Sequence, residues 1–141
     1  MASEARLYTF STSTRGCLKN LRMSTIRKPH PIARIFTIDK TTYEITPESD
    51  DEYTSLEDIV DELPDHVPRF VLLSYPVTKP DGRKATPYVL VAWMPVTTGP
   101  ALRMLYAGAK ELMRNTAEVS RVIDATTEDD VLGLEEVLKA L

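Results

Sequence analysis

The sequence predicts a three-layer α/β (α+β) sandwich, with a central mixed sheet of five to six strands flanked by four helices. Three observations carry this. Two runs, Phe70–Tyr75 and Tyr88–Met94, are apolar at both odd and even positions, the pattern of strands buried on both faces. A helical pattern over Gly99–Glu118 joins the second run to a further strand-like stretch, Arg121–Ala125, so a crossover and a parallel pair are expected there. Three further amphipathic helices are available to cover the two faces.

The elements follow in order. Residues 1–10 lead as a tail into a helix. Ser11 and Ser13 are candidate caps, Cys17, Leu18 and Leu21 give the helix an apolar face up to about Met23, and Pro29 and Pro31 end it. Ala33–Asp39 is rich in branched and aromatic residues and is expected as a strand. Lys40-Thr41-Thr42 turns it, and Tyr43–Thr46 is a shorter strand. An acidic loop over Pro47–Tyr53 precedes Ser55, which caps a helix with Asp58 three residues on. Leu56, Ile59, Val60 and Leu63 form that helix's apolar side, and Pro64 stops it. A P-D-G turn spans Lys79–Lys84 between the two central strands, with cations at its tip. The last helix starts at Thr127 with three acids behind it, favoured by the helix dipole, and buries Val131, Leu134, Leu138 and Leu141.

The 141 residues fit one domain, 1–141. Net charge is −4 but segregated, +6 over residues 1–40, −10 over 41–66, +5 over 67–123 and −5 over 124–141. Such a dipolar surface suits steering onto a protein partner and argues against a general nucleic-acid binder. No apolar run reaches membrane-span length, and the N-terminus lacks the apolar segment of a signal peptide, so a cytoplasmic protein is expected. The single cysteine, Cys17, excludes an internal disulfide and falls where a buried structural thiol is expected. No strong oligomer signal is visible, so a monomer is the default.

The long helix organises the chain. Gly99-Pro100 marks its start, with Pro at the first helical position. Leu102, Leu105, Ala109, Leu112 and Thr116 form one face at helical spacing and are expected in the core. Arg103, Ala107, Lys110 and Arg114 form a second, basic face, either solvated or turned to a partner. Met104 and Gly108 lie beside it. Gly inside a helix costs about 1 kcal/mol against Ala, so Gly108 points to close packing, against this chain or a partner.

Catalytic chemistry has little to stand on. His30 and His66 lie in Pro-flanked loops, no Cys/His/Asp cluster has metal-ligand spacing, and no G-x-S-x-G, P-loop or G-x-G-x-x-G occurs. The acids of 41–66 lack a calcium-loop pattern. No catalytic residues, metal or cofactor are therefore assigned, and the chain is expected not to be an enzyme.

The order of elements, with Arg103-Met104-Leu105-Tyr106-Ala107 followed by Lys110, resembles the actin-depolymerising-factor homology domain of cofilins. Several stretches resemble glia maturation factor in its fungal type. These are Asp61-Glu62-Leu63-Pro64-Asp65, Pro68–Pro76, Pro87-Tyr88-Val89-Leu90 and, longest, Met104–Glu118. The resemblance implies a single domain of that fold that binds the actin-related protein 2/3 complex in the barbed-end groove of an actin-like subunit. It implies promotion of filament debranching, inhibition of branched nucleation, and weak or no binding to actin filaments. No nucleic-acid or membrane partner is implied. The implied location is the cytoplasm, at cortical actin patches and the cytoskeleton, and also the nucleus.

Carried onto this chain, the resemblance implies that Arg103, Met104, Ala107, Gly108, Lys110 and Arg114 face the partner, with Met104 as apolar anchor. Ser3, Arg6, Lys19 and Arg22 would add an N-terminal contact, and Ser3 matches a regulatory phosphorylation site although it lies one position later than usual. Lys79, Arg83 and Lys84 would form a second contact. Where cofilins carry a run of lysines, this chain has Asn115-Thr116-Ala117-Glu118, which fits poor binding to filament sides. The alternatives are a cofilin-like protein that binds, severs and depolymerises actin, and a small enzyme or phosphoinositide-binding domain.

Overall fold

The computed structural model describes residues 8–27 and 30–140, with the side chains of residues 24–27 outside the description. The elements are β1 (Thr9–Phe10), α1 (Thr12–Arg27), β2 (Ile32–Ile38), β3 (Glu44–Pro47), α2 (Leu56–Glu62), β4 (Arg69–Ser74), β5 (Val77–Thr78), β6 (Lys84–Ala85), β7 (Tyr88–Trp93), α3 (Pro100–Ala117), β8 (Arg121–Ala125), α4 (Glu128–Leu132) and α5 (Leu134–Lys139). A six-stranded mixed sheet runs in the order β1-β3-β2-β4-β7-β8, and β5 and β6 form a separate small hairpin. The expected parallel pair is present: β8 lies along β7 with Leu90 opposite Val122 and Val91 opposite Ile123. The other central pairs are antiparallel, β2 with β4 and β4 with β7.

The alternation of strand side chains divides the core in two. On one face Phe36, Phe70, Leu72 and Leu90 pack with Leu18 and Leu21 of α1 and with Tyr106, Ala109 and Met113 of α3. On the other, Ile35, Val71, Leu73, Val89 and Val91 pack with Leu56 and Ile59 of α2, Val131 of α4, and Leu134 and Leu138 of α5. Both central strands are thus buried on both sides, as their apolar runs predict.

Four differences from the sequence expectation have local causes. The tail holds a short strand, β1, which runs parallel to β3 and is tied to it by Thr9 N–H donating to the Tyr43 carbonyl at 3.1 Å. Two residues are too few to show a period. Helix α1 is capped by Ser11, whose Oγ accepts from Thr14 N–H at 3.1 Å, and it runs to Arg27, just short of the prolines expected to end it. The last helix divides at Gly133, a poor helix former, into α4 and α5; Leu141 lies outside the described residues. The buried row of α3 is Tyr106, Ala109, Met113 and Ala117, while Leu102, Leu105, Leu112 and Thr116 flank it half-buried. Cys17 is half-buried rather than enclosed, and burial pushes its thiol pKa up.

Candidate partner-docking surface

Helix α3 is clamped to the sheet by its own tyrosine. The Tyr106 hydroxyl accepts from the Ile38 N–H at 3.0 Å, lies 3.0 Å from the Thr37 Oγ1, and its ring tilts against Phe70 at 5.3 Å. This fixes which side of the helix faces outward. The outer side carries Arg103, Met104, Ala107, Glu111 and Asn115, all exposed. Met104 is 76% exposed, and Val96, in the loop before the helix, is 75% exposed. Large apolar groups so open to water are candidates for burial by a partner.

The N-terminal segment packs on the same helix. The Tyr8 hydroxyl donates to the Leu105 carbonyl at 2.7 Å, and its ring stacks on Tyr43 with centroids 5.6 Å apart. That stacking partner holds a left-handed backbone, φ +62°, which costs a non-glycine residue about 1 kcal/mol or more. Asp39 shapes the turn that holds it, with Oδ1 accepting from the amides of Thr41 and Thr42 at 2.8 and 2.9 Å. Gly108 is where Tyr8 arrives, so its close approach is to this chain. Tyr8 is a residue the sequence reading missed; its signal was an aromatic side chain in the short apolar cluster Leu7, Tyr8 and Phe10 at the end of the tail.

The basic row is held in place by the protein itself. Arg103 Nη2 donates to the carbonyls of Val96 at 3.2 Å and of Pro95 and Thr98 at 3.5 Å. Lys110 pairs with Asp124 of β8 at 3.1 Å and Arg114 with Glu111 at 3.1 Å. Such surface pairs are worth about 0–1 kcal/mol each, so acids on a partner can take their place. The row is therefore positioned in advance without being locked.

The remaining candidates fall in two further places. Lys19 and Arg22 of α1 face the C-terminal end of α3 across a cleft shared with Arg15, Thr116 and Glu118, and Arg22 pairs with Glu118. Glu118 ends α3 in a left-handed conformation, φ +59°. The turn bearing Lys79, Arg83 and Lys84 lies at the β5–β6 hairpin, where Arg83 Nε donates to Asp81 at 2.6 Å. Arg121 and Ser120 line one cleft with Arg114 and Glu111 and another with Lys79, so the hairpin adjoins the C-terminal half of the α3 row. At 1.5 Å per residue, Met104 and Arg114 are separated by about 15 Å along the helix. Ser3 and Arg6 lie outside the described residues.

His66 Nδ1 sits 2.8 Å from Thr97 Oγ1, and His30 Nδ1 lies 3.0 Å from the Pro31 carbonyl. Among the described residues no group of three or more His, Cys, Asp or Glu side chains could hold a metal ion, and no helix is long and apolar enough to cross a membrane.

The six-stranded mixed sheet, the β7–α3–β8 crossover and the helices on both faces define an actin-depolymerising-factor homology fold. The chain belongs to the cofilin/tropomyosin-type actin-binding protein family, which residues 11–141 match. It is 40% identical over 135 residues to Protein AIM7 of Saccharomyces cerevisiae, covering 89% of this chain and 91% of that one. It is 33% identical over 115 residues to glia maturation factor beta of Mus musculus, covering 81% of each. The solution structure of glia maturation factor from Caenorhabditis elegans superposes with a TM-score of 0.73 at 30% identity over 87% of this chain and 88% of that one. The crystal structure of Streptomyces griseoflavus cofilin, with a TM-score of 0.75 at 19% identity over 94% of this chain and 96% of that one, shares the fold. Within the family the chain thus resembles glia maturation factor.

Proposed function

We propose that this chain is a glia-maturation-factor-like regulator that binds the actin-related protein 2/3 complex, promotes filament debranching and inhibits branched nucleation, in the cytoplasm at cortical actin patches. The observation that carries the reading is the outer side of α3, where Met104 stands 76% exposed beside the tethered Arg103 and Lys110. Met104 is the apolar anchor in a barbed-end groove, and the cations meet acids around it. Glu118 supports the choice within the family. It engages Arg22 at the helix end where cofilins place lysines for filament sides. Debranching follows from differential affinity: a protein that binds the released complex more tightly than the branch junction shifts the equilibrium toward release. Co-sedimentation tests the reading. The protein stays in the supernatant with unbranched filaments at low micromolar concentration and is retained by the immobilised complex. Pelleting with unbranched filaments and no retention would point instead to cofilin-like severing.

A further inference from the structure

A cavity of about 320 Å³ opens between α3 and the C-terminal ends of β7 and β8. Phe70, Ala92, Met94 and Tyr106 contribute to its wall, and Arg103, Lys110 and Asp124 carry its charges. The cavity lies directly beside the exposed side of α3, because Ala107 lines it too. The two cations on its edge are not equivalent. Lys110 is engaged by Asp124 at 3.1 Å. Arg103 is steadied through Nη2 alone, while its Nε and Nη1 make no hydrogen bond among the described residues. A guanidinium held from one side with further donors unspent suits a carboxylate.

We propose that this cavity is a specificity pocket for a protein partner, taking one apolar side chain of that partner while Arg103 binds a neighbouring carboxylate on it. The occupant is fixed by two features together: carbon-lined walls favour an apolar group, and the spare Arg103 donors favour an acid next to it. The pocket deepens the docking of α3 on the actin-related protein 2/3 complex and rests on that reading.

The test has two arms. In the first, 4-phenylbutyrate and 4-phenylbutan-1-ol are titrated against the isotope-labelled protein by NMR. The pocket predicts shifts at the amides of Tyr106, Ala107, Lys110 and Thr126, at least fivefold tighter binding of the acid, and loss of that preference in Arg103→Gln. Ala92→Leu, which fills the cavity from β7, removes both probes. Shifts that map elsewhere, or that survive Ala92→Leu in a folded variant, overturn the pocket. In the second arm, Ala92→Leu weakens binding to the complex at least tenfold with Tm unchanged or raised. Wild-type binding by Ala92→Leu overturns the proposal. Met104→Asp, outside the cavity, then separates the two ideas: if it loses binding, docking through α3 stands without the pocket, and if it binds normally, both fall.

Discussion

A Cβ built on Gly108 would stand 2.7 Å from the Tyr8 hydroxyl and 3.7 Å from the ring carbon that carries it. The hydroxyl has no room to yield, because it donates to the Leu105 carbonyl while the ring stacks on Tyr43. Glycine at 108 is therefore set by a residue a hundred positions away, and one oxygen atom makes the difference.

A double-mutant cycle reads this relationship. Gly108→Ala in the wild-type background gains no stability, since displacing Tyr8 offsets the helix-propensity gain of about 1 kcal/mol. In Tyr8→Phe the hydroxyl is gone and the Cβ meets only ordinary van der Waals contact, so Gly108→Ala stabilises by about 0.5–1 kcal/mol. Urea midpoints of the four proteins check it. Equal effects of Gly108→Ala in both backgrounds would contradict the contact.

Two methionines on one helix separate stability from docking. Met113 is fully buried, so Met113→Ala costs about 2–5 kcal/mol. Met104 is 76% exposed, so Met104→Ala stays within about 0.5 kcal/mol of wild type in stability while lowering affinity for the complex. Thermal denaturation and a pull-down on the same preparations measure both.

The sequence made the sheet legible because burial on both faces leaves residues apolar at odd and even positions alike, as in Phe70–Tyr75 and Tyr88–Met94. It placed α3 correctly but not its rotation. Leucines dominate the hydropathy count, yet the centre of the contact is Tyr106, Ala109, Met113 and Ala117, where small residues let the helix sit close to the sheet and Tyr106 reaches the backbone of Ile38. A local pattern cannot show such a long-range hydrogen bond. The same holds for Lys110 with Asp124 and for Arg22 with Glu118, whose partners lie on other elements. Val96 was missed because an apolar residue in a Pro-Thr-Gly loop has no period to mark it.

Acid should loosen the start of α4. Asp130 Oδ2 accepts from the Thr126 and Thr127 amides at 2.9 and 3.3 Å and from the Thr126 hydroxyl at 3.1 Å. The Thr126 amide, first among these, holds its carboxyl pKa below the ordinary 3.8. A depressed pKa contributes stability that is fully present above the unfolded value and is lost as pH falls through the folded one. Melting temperatures between pH 6 and pH 2.5 should therefore fall at the acid end, and Asp130→Asn should show a shallower fall. An identical slope in the variant would rule out this carboxylate as a contributor.

Changing the end of α3 tests the proposed weak binding to filament sides. Glu118→Lys removes the Arg22–Glu118 pair and adds a lysine to the cleft that Arg15, Lys19 and Arg22 line. Co-sedimentation with unbranched filaments should rise and should weaken with added salt, as expected for exposed charges. Unchanged sedimentation would mean that this charge does not limit filament binding.

The lifetime of individual branches, imaged on single filaments with pure protein, tests docking through α3 most directly. Wild-type protein is expected to shorten branch lifetimes. The double variant Arg103→Glu/Lys110→Glu leaves them at the value without protein, because disrupting partner contacts of this kind costs about 2–5 kcal/mol, and circular dichroism of the same preparation checks that it is folded. Branch lifetimes shortened equally by the wild type and the folded double variant would contradict the account.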